Sequence, residues 1–183
     1  VYKTIFDGLD RAIEQDESDP LSATSSVPKT TFVYSDDTIP RSVKETDYLN
    51  SSTSTVSYTY LDGLGRTVQH LTEAEGNHTY AATTNTYDQR GPLHSESLPY
   101  FVTTSSYTGT SSPPTSSLLT TYTYDPLGRP TAIANELGTT TNAYDQCSVT
   151  TTDANGHSKD YPKGPYGNLT QVVEHNNDGN YTT

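Results

Sequence analysis

Asp and Arg recur four residues apart in this sequence, as Asp7 with Arg11, Asp62 with Arg66, and Asp125 with Arg129. Carboxylates can move protons and guanidinium groups can stabilise developing negative charge, so such pairs are the first place to look for catalysis. A catalytic constellation is needed once, however, whereas these pairs repeat along the chain. Four residues across a tight turn let the guanidinium reach the carboxylate or the turn carbonyls, so the pairs read as hairpin clamps. A hydrolase would need carboxylates converging in one pocket, and the sequence places no two of them together.

Other reactive groups lack the spacing their chemistry requires. The five histidines (His70, His78, His94, His157 and His175) form no His-x-x-x-His pair, and no Cys-x-x-Cys exists to complete a zinc site. Asp153-x-Asn155 and Asn176–Asn177–Asp178–Gly179 offer oxygen ligands but lack the closing Glu of a calcium loop, so turn chemistry accounts for them. No Gly-x-Ser-x-Gly elbow is present, and Gly63–Leu64–Gly65 lacks the strand–helix context of a phosphate loop. Cys147 stands alone, which excludes an intrachain disulfide framework, and reads as a small half-buried strand residue. Asn50, Asn77, Asn168 and Asn180 head Asn-x-Ser/Thr sequons in a chain so rich in Ser and Thr that chance supplies several. No catalytic residue, cofactor or metal ligand is assigned.

The elements that position these residues are strands. Tyr122–Thr123–Tyr124 alternates aromatic and β-branched side chains, the pattern of a pleated strand. Asp125, Pro126 and Gly128 then break the run with turn chemistry, and Arg129 to Ile133 resumes it. This hairpin unit recurs at Phe6–Asp7 through Arg11 and at Tyr58, Tyr60, Asp62, Gly65 and Arg66. A third copy holds Tyr87, Asp88 and Gly91, with Pro92 where Arg would stand. Weaker copies open at Tyr144–Asp145 and close at Tyr166–Gly167–Asn168. Further strands are expected over Thr30–Tyr34, Val68–Glu73, Tyr80–Tyr87 and Leu169–Glu174. Asp153–His157 is expected to be an Asn-Gly turn of type I′. Loop-like inserts are expected at about 14–29 and 103–117.

The repeated pattern Tyr-x-Tyr-Asp-x-x-Gly-Arg, led by Thr-rich segments such as Gly138 to Asp145, resembles the YD repeat of Rhs-type proteins. Ser97–Leu98–Pro99–Tyr100–Phe101 also resembles the large secreted members of that family, including the shell components of insecticidal toxin complexes. The resemblance runs intermittently over residues 1–183 and departs from the family in its irregular spacing. It implies antiparallel β-hairpin repeats laid side by side as a spiral sheet or shell segment. It further implies a structural role in enclosing or presenting a toxin-like polypeptide, at the cell surface or secreted. The autocleaving aspartyl site that some members carry beyond their repeats has no counterpart here.

Composition agrees with a repeat array. The apolar fraction is 30 % over 183 residues, and Ser plus Thr make roughly three residues in ten. Such a chain cannot fill an ordinary globular core, but stacked hairpins need only a thin buried face. Fifteen tyrosines supply that face. They are expected to pack on neighbouring strands, with a second reading in which exposed rings stack on the sugars of surface glycans, as in an adhesin. A net charge of −12 disfavours nucleic acid and anionic lipid as partners, and no apolar run approaches the ~20 residues of a membrane-spanning helix. Val1 starts within a strand and Asp178 to Thr183 looks like the lead-in to another copy, so a piece of a longer polypeptide is expected, with neighbouring repeats as its partners.

Overall fold

The computed structural model of the chain describes residues 2–18, 26–50, 52–75, 79–109, 119–176 and 179–183. Among them are sixteen strands and no helix, and every pairing between strands is antiparallel. The expected all-β hairpin architecture is therefore what the chain adopts. The chain divides into two compact units, Val1–Asn85 with Pro99–Ser112 and Thr86–Leu98 with Pro113–Thr183.

The first unit is a meander. Strands β1 (Tyr2–Phe6), β2 (Ala12–Ser18), β3 (Ser26–Ser35), β4 (Arg41–Asn50), β5 (Thr53–Leu61), β6 (Thr67–Glu73) and β7 (Tyr80–Tyr87, belonging to this unit through Asn85) each pair with the preceding one. After β8 (Leu93–Ser97), which lies in the second unit, β9 (Tyr100–Val102) returns to pair with the start of β7. Register sets which side chains share a face, because a strand alternates with period two. Tyr60, Gln69 and Thr84 form one cross-strand row, and Tyr58, Leu71, Ala82 and Tyr100 form the next. Leu71, Ala82 and Gln69 in these rows are fully buried, and Tyr60, Tyr80, Tyr100 and Val68 nearly so. Burying a side chain such as Leu71 contributes about 2 kcal/mol. Tyr58 and Tyr80 meet edge to face with centroids 5.9 Å apart.

The second unit continues from β8 with β10 (Leu119–Tyr124), β11 (Pro130–Asn135), β12 (Gly138–Tyr144), β13 (Ser148–Thr152), β14 (Ser158–Pro162), β15 (Val173–Asn176) and β16 (Gly179–Thr182). Again each pairs with its predecessor. Its buried side chains among the described residues are Ser95 and Ser97, with no apolar one. Cross-strand polar pairs hold it in place of a core: Thr86 to Ser95 at 2.6 Å, Thr150 to Asp160 at 2.6 Å and Thr151 to Asn142 at 2.9 Å. Such pairs contribute roughly 0.2–1 kcal/mol each. No helix of the described residues is long and apolar enough to cross a membrane.

Several local expectations need correction. The segment expected as a loop over 14–29 is strand at both ends, since Glu14 to Ser18 pairs with Thr31 to Ser26, while 19–25 lie outside the described residues. An open polar sheet needs no apolar alternation, so the acidic composition misled. The insert at 103–117 is irregular through residue 109, and 110–117 lie outside the described residues. Its described part is a strap over buried side chains and more than a surface loop. Cys147 is exposed in the turn after β12 and is not a half-buried strand residue. Of the sequence features that could bind or react, His78, Asn77 and Asn177–Asp178 also fall outside the described residues.

Candidate functional site

The repeated residues build one turn, many times. In Asp62 to Arg66 the Asp62 N–H donates to the Arg66 carbonyl at 2.9 Å and the Gly65 N–H to the Asp62 carbonyl at 3.0 Å. Gly65 lies at φ 79°, the left-handed region that glycine enters without strain. The Asp62 carboxylate then fills the loop: Oδ1 accepts the N–H groups of Leu64 and Arg66, both at 2.9 Å, and Oδ2 accepts Arg66 Nε at 2.8 Å. Asp125 to Arg129 repeats this with Gly128 at φ 79° and the Nε contact at 2.6 Å. Asp7 to Arg11 does so with Asp10 at φ 57° in the glycine position. Ladder register slips beside each of the three turns, so Ile13, Val68 and Thr131 are bulged out of the pairing.

Variants of the turn show which parts are separable. Asp88 with Gly91 (φ 113°) keeps the backbone bonds, and its carboxylate accepts from the Arg90 and Gly91 N–H groups because Pro92 has none. Around Gly167 (φ 78°) the backbone loop persists with Gly164 in the Asp position and no carboxylate. Asp145 departs from the pattern: its N–H reaches Ser148 O and its side chain accepts only from Gln146 N–H, a shorter turn without glycine. Asp153 to His157 is the same five-residue turn with His157 in the Arg position, so the expected type I′ turn is corrected. The spacing of Asp153 and Gly156 carried that signal, but only if His is admitted where Arg stands elsewhere.

These carboxylates are held as anions. The Arg11 N–H, the Arg129 N–H and the His157 N–H are the leading causes that lower Asp7, Asp125 and Asp153. At Asp62 and Asp88 desolvation is the largest single influence and acts upward, yet the donated N–H groups and guanidinium together outweigh it. A carboxylate with both oxygens engaged and its pKa depressed is a fastener first and a weak proton acceptor second. Among the described residues no three His, Cys, Asp or Glu side chains gather to hold a metal ion.

A tyrosine from the next strand closes over the Arg11 and Arg129 clamps. The Arg11 guanidinium lies 4.1 Å from the Tyr34 ring centre, and Tyr34 Oη donates to Ala12 O at 2.9 Å. Arg129 lies 4.2 Å from the Tyr144 ring centre, and Tyr144 Oη donates to Pro130 O at 2.9 Å. Tyr124 Oη donates to Leu93 O at 2.8 Å, without the stack because Pro92 replaces the Arg. In every case the acceptor is the residue following the fifth turn position. Arg11 also reaches Asp36 at 2.7 Å, and that contact leads the causes that raise its pKa. Tyr87 is half-buried at the end of β7, and Tyr122 Oη donates to Glu96, which pushes the phenol up to about 12.

Two features escaped the sequence reading. Gln69, fully buried, accepts the Thr108 N–H at 3.1 Å and donates to Thr108 Oγ1 at 2.7 Å, with Tyr100 and Thr84 hydroxyls at 3.3 and 3.4 Å. The strap carrying Thr108 also lays Tyr107 on Tyr60, centroids 5.5 Å apart, and Tyr60 Oη donates to Ser105 O. Beside it runs an open groove of about 610 Å³ lined by Tyr34, Asp37, Ile39, Tyr60, Ser106 and Tyr107.

A family model described as a domain of unknown function, DUF6443, matches residues 30–164. No curated protein matches the chain. Among solved structures it is similar to chains in the crystal structures of TcdB2-TccC3-Cdc42 and TcdB2-TccC3-TEV. Each comparison has a TM-score of 0.78 and 13 % identity, covering 99 % of this chain. The chain spans 15 % of the length of those chains, so the likeness is one of fold.

Proposed function

The chain belongs to the DUF6443 family, and from that premise we propose that it is a structural YD-repeat segment of a large Rhs-type β-shell or surface protein. Its work is mechanical: serial hairpins, each clamped internally and fastened to the next, form a wall that encloses or presents a toxin-like polypeptide. Its partners are neighbouring repeats of the same longer chain and the enclosed polypeptide, in a secreted or surface-displayed protein. One observation carries this reading: the Asp–Arg clamped turn recurs with the same hydrogen bonds at Asp7, Asp62 and Asp125, each serving its own hairpin. The fold likeness to TcdB2-TccC3 chains supports it. No catalytic part is proposed, because each carboxylate is spent inside its own turn.

The test uses the longer polypeptide that contains these residues. Limited proteolysis should leave any carboxy-terminal segment intact in the wild type and cut it when Asp62 and Asp125 are both changed to Ala. An equally fast cut in both proteins would remove the enclosing role. The groove lined by Tyr34, Tyr60 and Tyr107 favours a second reading, a glycan-binding module, because it sets aromatic rings beside Asp37 and Ser106. Glycan-array binding abolished by Tyr107→Ala would support that alternative; a blank array would dismiss it.

A further inference from the structure

We infer that Asn50, at the tip of the β4–β5 hairpin, is an acceptor site for an N-linked sugar, with the Tyr48 ring as the platform on which that sugar rests. Of the three sequons whose Asn and hydroxyl residue are both described, at Asn50, Asn168 and Asn180, one has the two side chains joined. The hairpin closes at the Asn50–Thr53 pair, and within it Asn50 Oδ1 accepts both the Ser52 N–H and the Ser52 Oγ–H, each at 2.9 Å. An amide nitrogen is a poor nucleophile because its lone pair is delocalised onto the oxygen. Two donors on that oxygen stabilise the imidate charge that forms as Nδ2 gives up a proton, as the donors of an oxyanion hole do. Nδ2 has no hydrogen-bond partner among the described residues, and Asn50 and Ser52 are exposed. The other two sequons lack this arrangement. Thr170 Oγ1 donates to Pro162 O at 3.0 Å and is engaged away from Asn168. Asn180 Oδ1 lies 3.1 Å from His175 Nδ1, and strand β16 holds Asn180 and Thr182 extended, about 7 Å apart along the chain.

The surroundings of Asn50 also suit a sugar. The β4–β5 ladder slips between Tyr48 and Asn50, so Leu49 is bulged out of the pairing beside the turn. Tyr48, two residues before the acceptor, is 39 % exposed, and Leu49 is 71 % exposed. An exposed aromatic ring next to the linking nitrogen offers its face to the C–H groups of the first sugar, and Leu49 extends the apolar cover. A hairpin tip carries the added bulk outward and leaves the ladder bonds intact. The step needs an activated sugar diphosphate and a glycosyltransferase. The Nδ2–C1 bond forms, the C1–O bond breaks with its electron pair leaving on the diphosphate, and the Nδ2 proton passes to a base of the transferase. Nothing in this inference depends on the enclosing role.

The test incubates the folded 183-residue chain with UDP-glucose and a soluble glucosyltransferase that acts on Asn-x-Ser/Thr, and reads site occupancy by peptide mass spectrometry. Asn50 should acquire hexose about tenfold or more faster than Asn168 and Asn180. Synthetic peptides spanning 44–56, 162–174 and 174–183 should differ by less than about threefold, because an isolated hairpin does not hold the turn. Modified peptides alongside an unmodified Asn50 in the folded chain, or equal rates at the three sites of that chain, would overturn the acceptor site. A preference as strong in the peptides as in the chain would assign it to flanking residues and overturn the part given to the turn. The attached hexose should slow amide exchange at the β4–β5 tip by about two- to fivefold, and Tyr48→Ala should erase that gain. A gain that survives Tyr48→Ala would overturn the platform.

Discussion

Gln69→Leu probes what holds the 103–109 strap to the sheet. Gln69 is wholly buried and spans from β6 to Thr108, 39 residues away. Leucine nearly matches its volume, so the change isolates hydrogen bonding from packing. The Thr108 N–H and hydroxyl lose their partners, while Thr84 and Tyr100 keep their mutual bond at 2.6 Å. Leaving one buried donor unsatisfied costs about 1–3 kcal/mol. The relief available is to lift the strap and hydrate Thr108, which unstacks Tyr107 from Tyr60. Hydrogen exchange should therefore show the Thr108 amide losing protection by roughly 5- to 150-fold, since each 1.4 kcal/mol is tenfold. Leu71 on the same face should change less, because its burial does not depend on the glutamine. Unaltered Thr108 protection, with Tyr107→Ala alone releasing the strap, would refute the role given to Gln69 and assign the strap to its aromatic contact.

Four other outcomes follow from the geometry. Gly138 sits at φ 128°, and a Cβ there would meet Ala154 Cβ at 2.6 Å; Gly138→Ala should lower Tm, and Ala154→Gly should restore only part of the loss because the backbone strain remains. Asp10 occupies the left-handed turn position at φ 57°, so Asp10→Gly should raise Tm, read by thermal melting. Asp160 is the leading cause that raises the His175 pKa, with Asn180 adding to it. The folded value exceeds the unfolded one, so this contribution is complete below the unfolded pKa and fades as pH rises through the folded one; β15 amide protection should fall from pH 6 to 8, and His175→Gln should flatten that dependence. Tyr122, held by Glu96 with a pKa of about 12, should remain protonated at pH 11, so Tyr122→Phe should leave the phenolate absorbance below that pH nearly unchanged.

The depressed turn carboxylates have the opposite sign to His175. Stability from Asp7, Asp62, Asp125 and Asp153 is present above their unfolded pKa and is lost as pH falls through the lower folded values. The hairpins should therefore loosen together in acid, and a clamp-free variant should loosen less steeply.

What the amino-acid order determined on its own is the turn. Asp62, Gly65 and Arg66 interact within five consecutive residues, so spacing and residue type suffice to specify the loop, its positive φ and its ion pair. The same locality made the strands legible from Tyr and Thr alternation. Tertiary structure alone decided which clamp each tyrosine closes, because Tyr34 meets Arg11 only through the register of β2 against β3. It also decided that a glutamine in a polar, Ser- and Thr-rich chain becomes the most enclosed polar side chain among the described residues, since nothing near residue 69 announces a strap arriving from residue 108. Short-range hydrogen bonds close with little loss of chain entropy and leave a pattern in sequence. Contacts across dozens of residues depend on where every intervening strand is laid, and no local pattern records that.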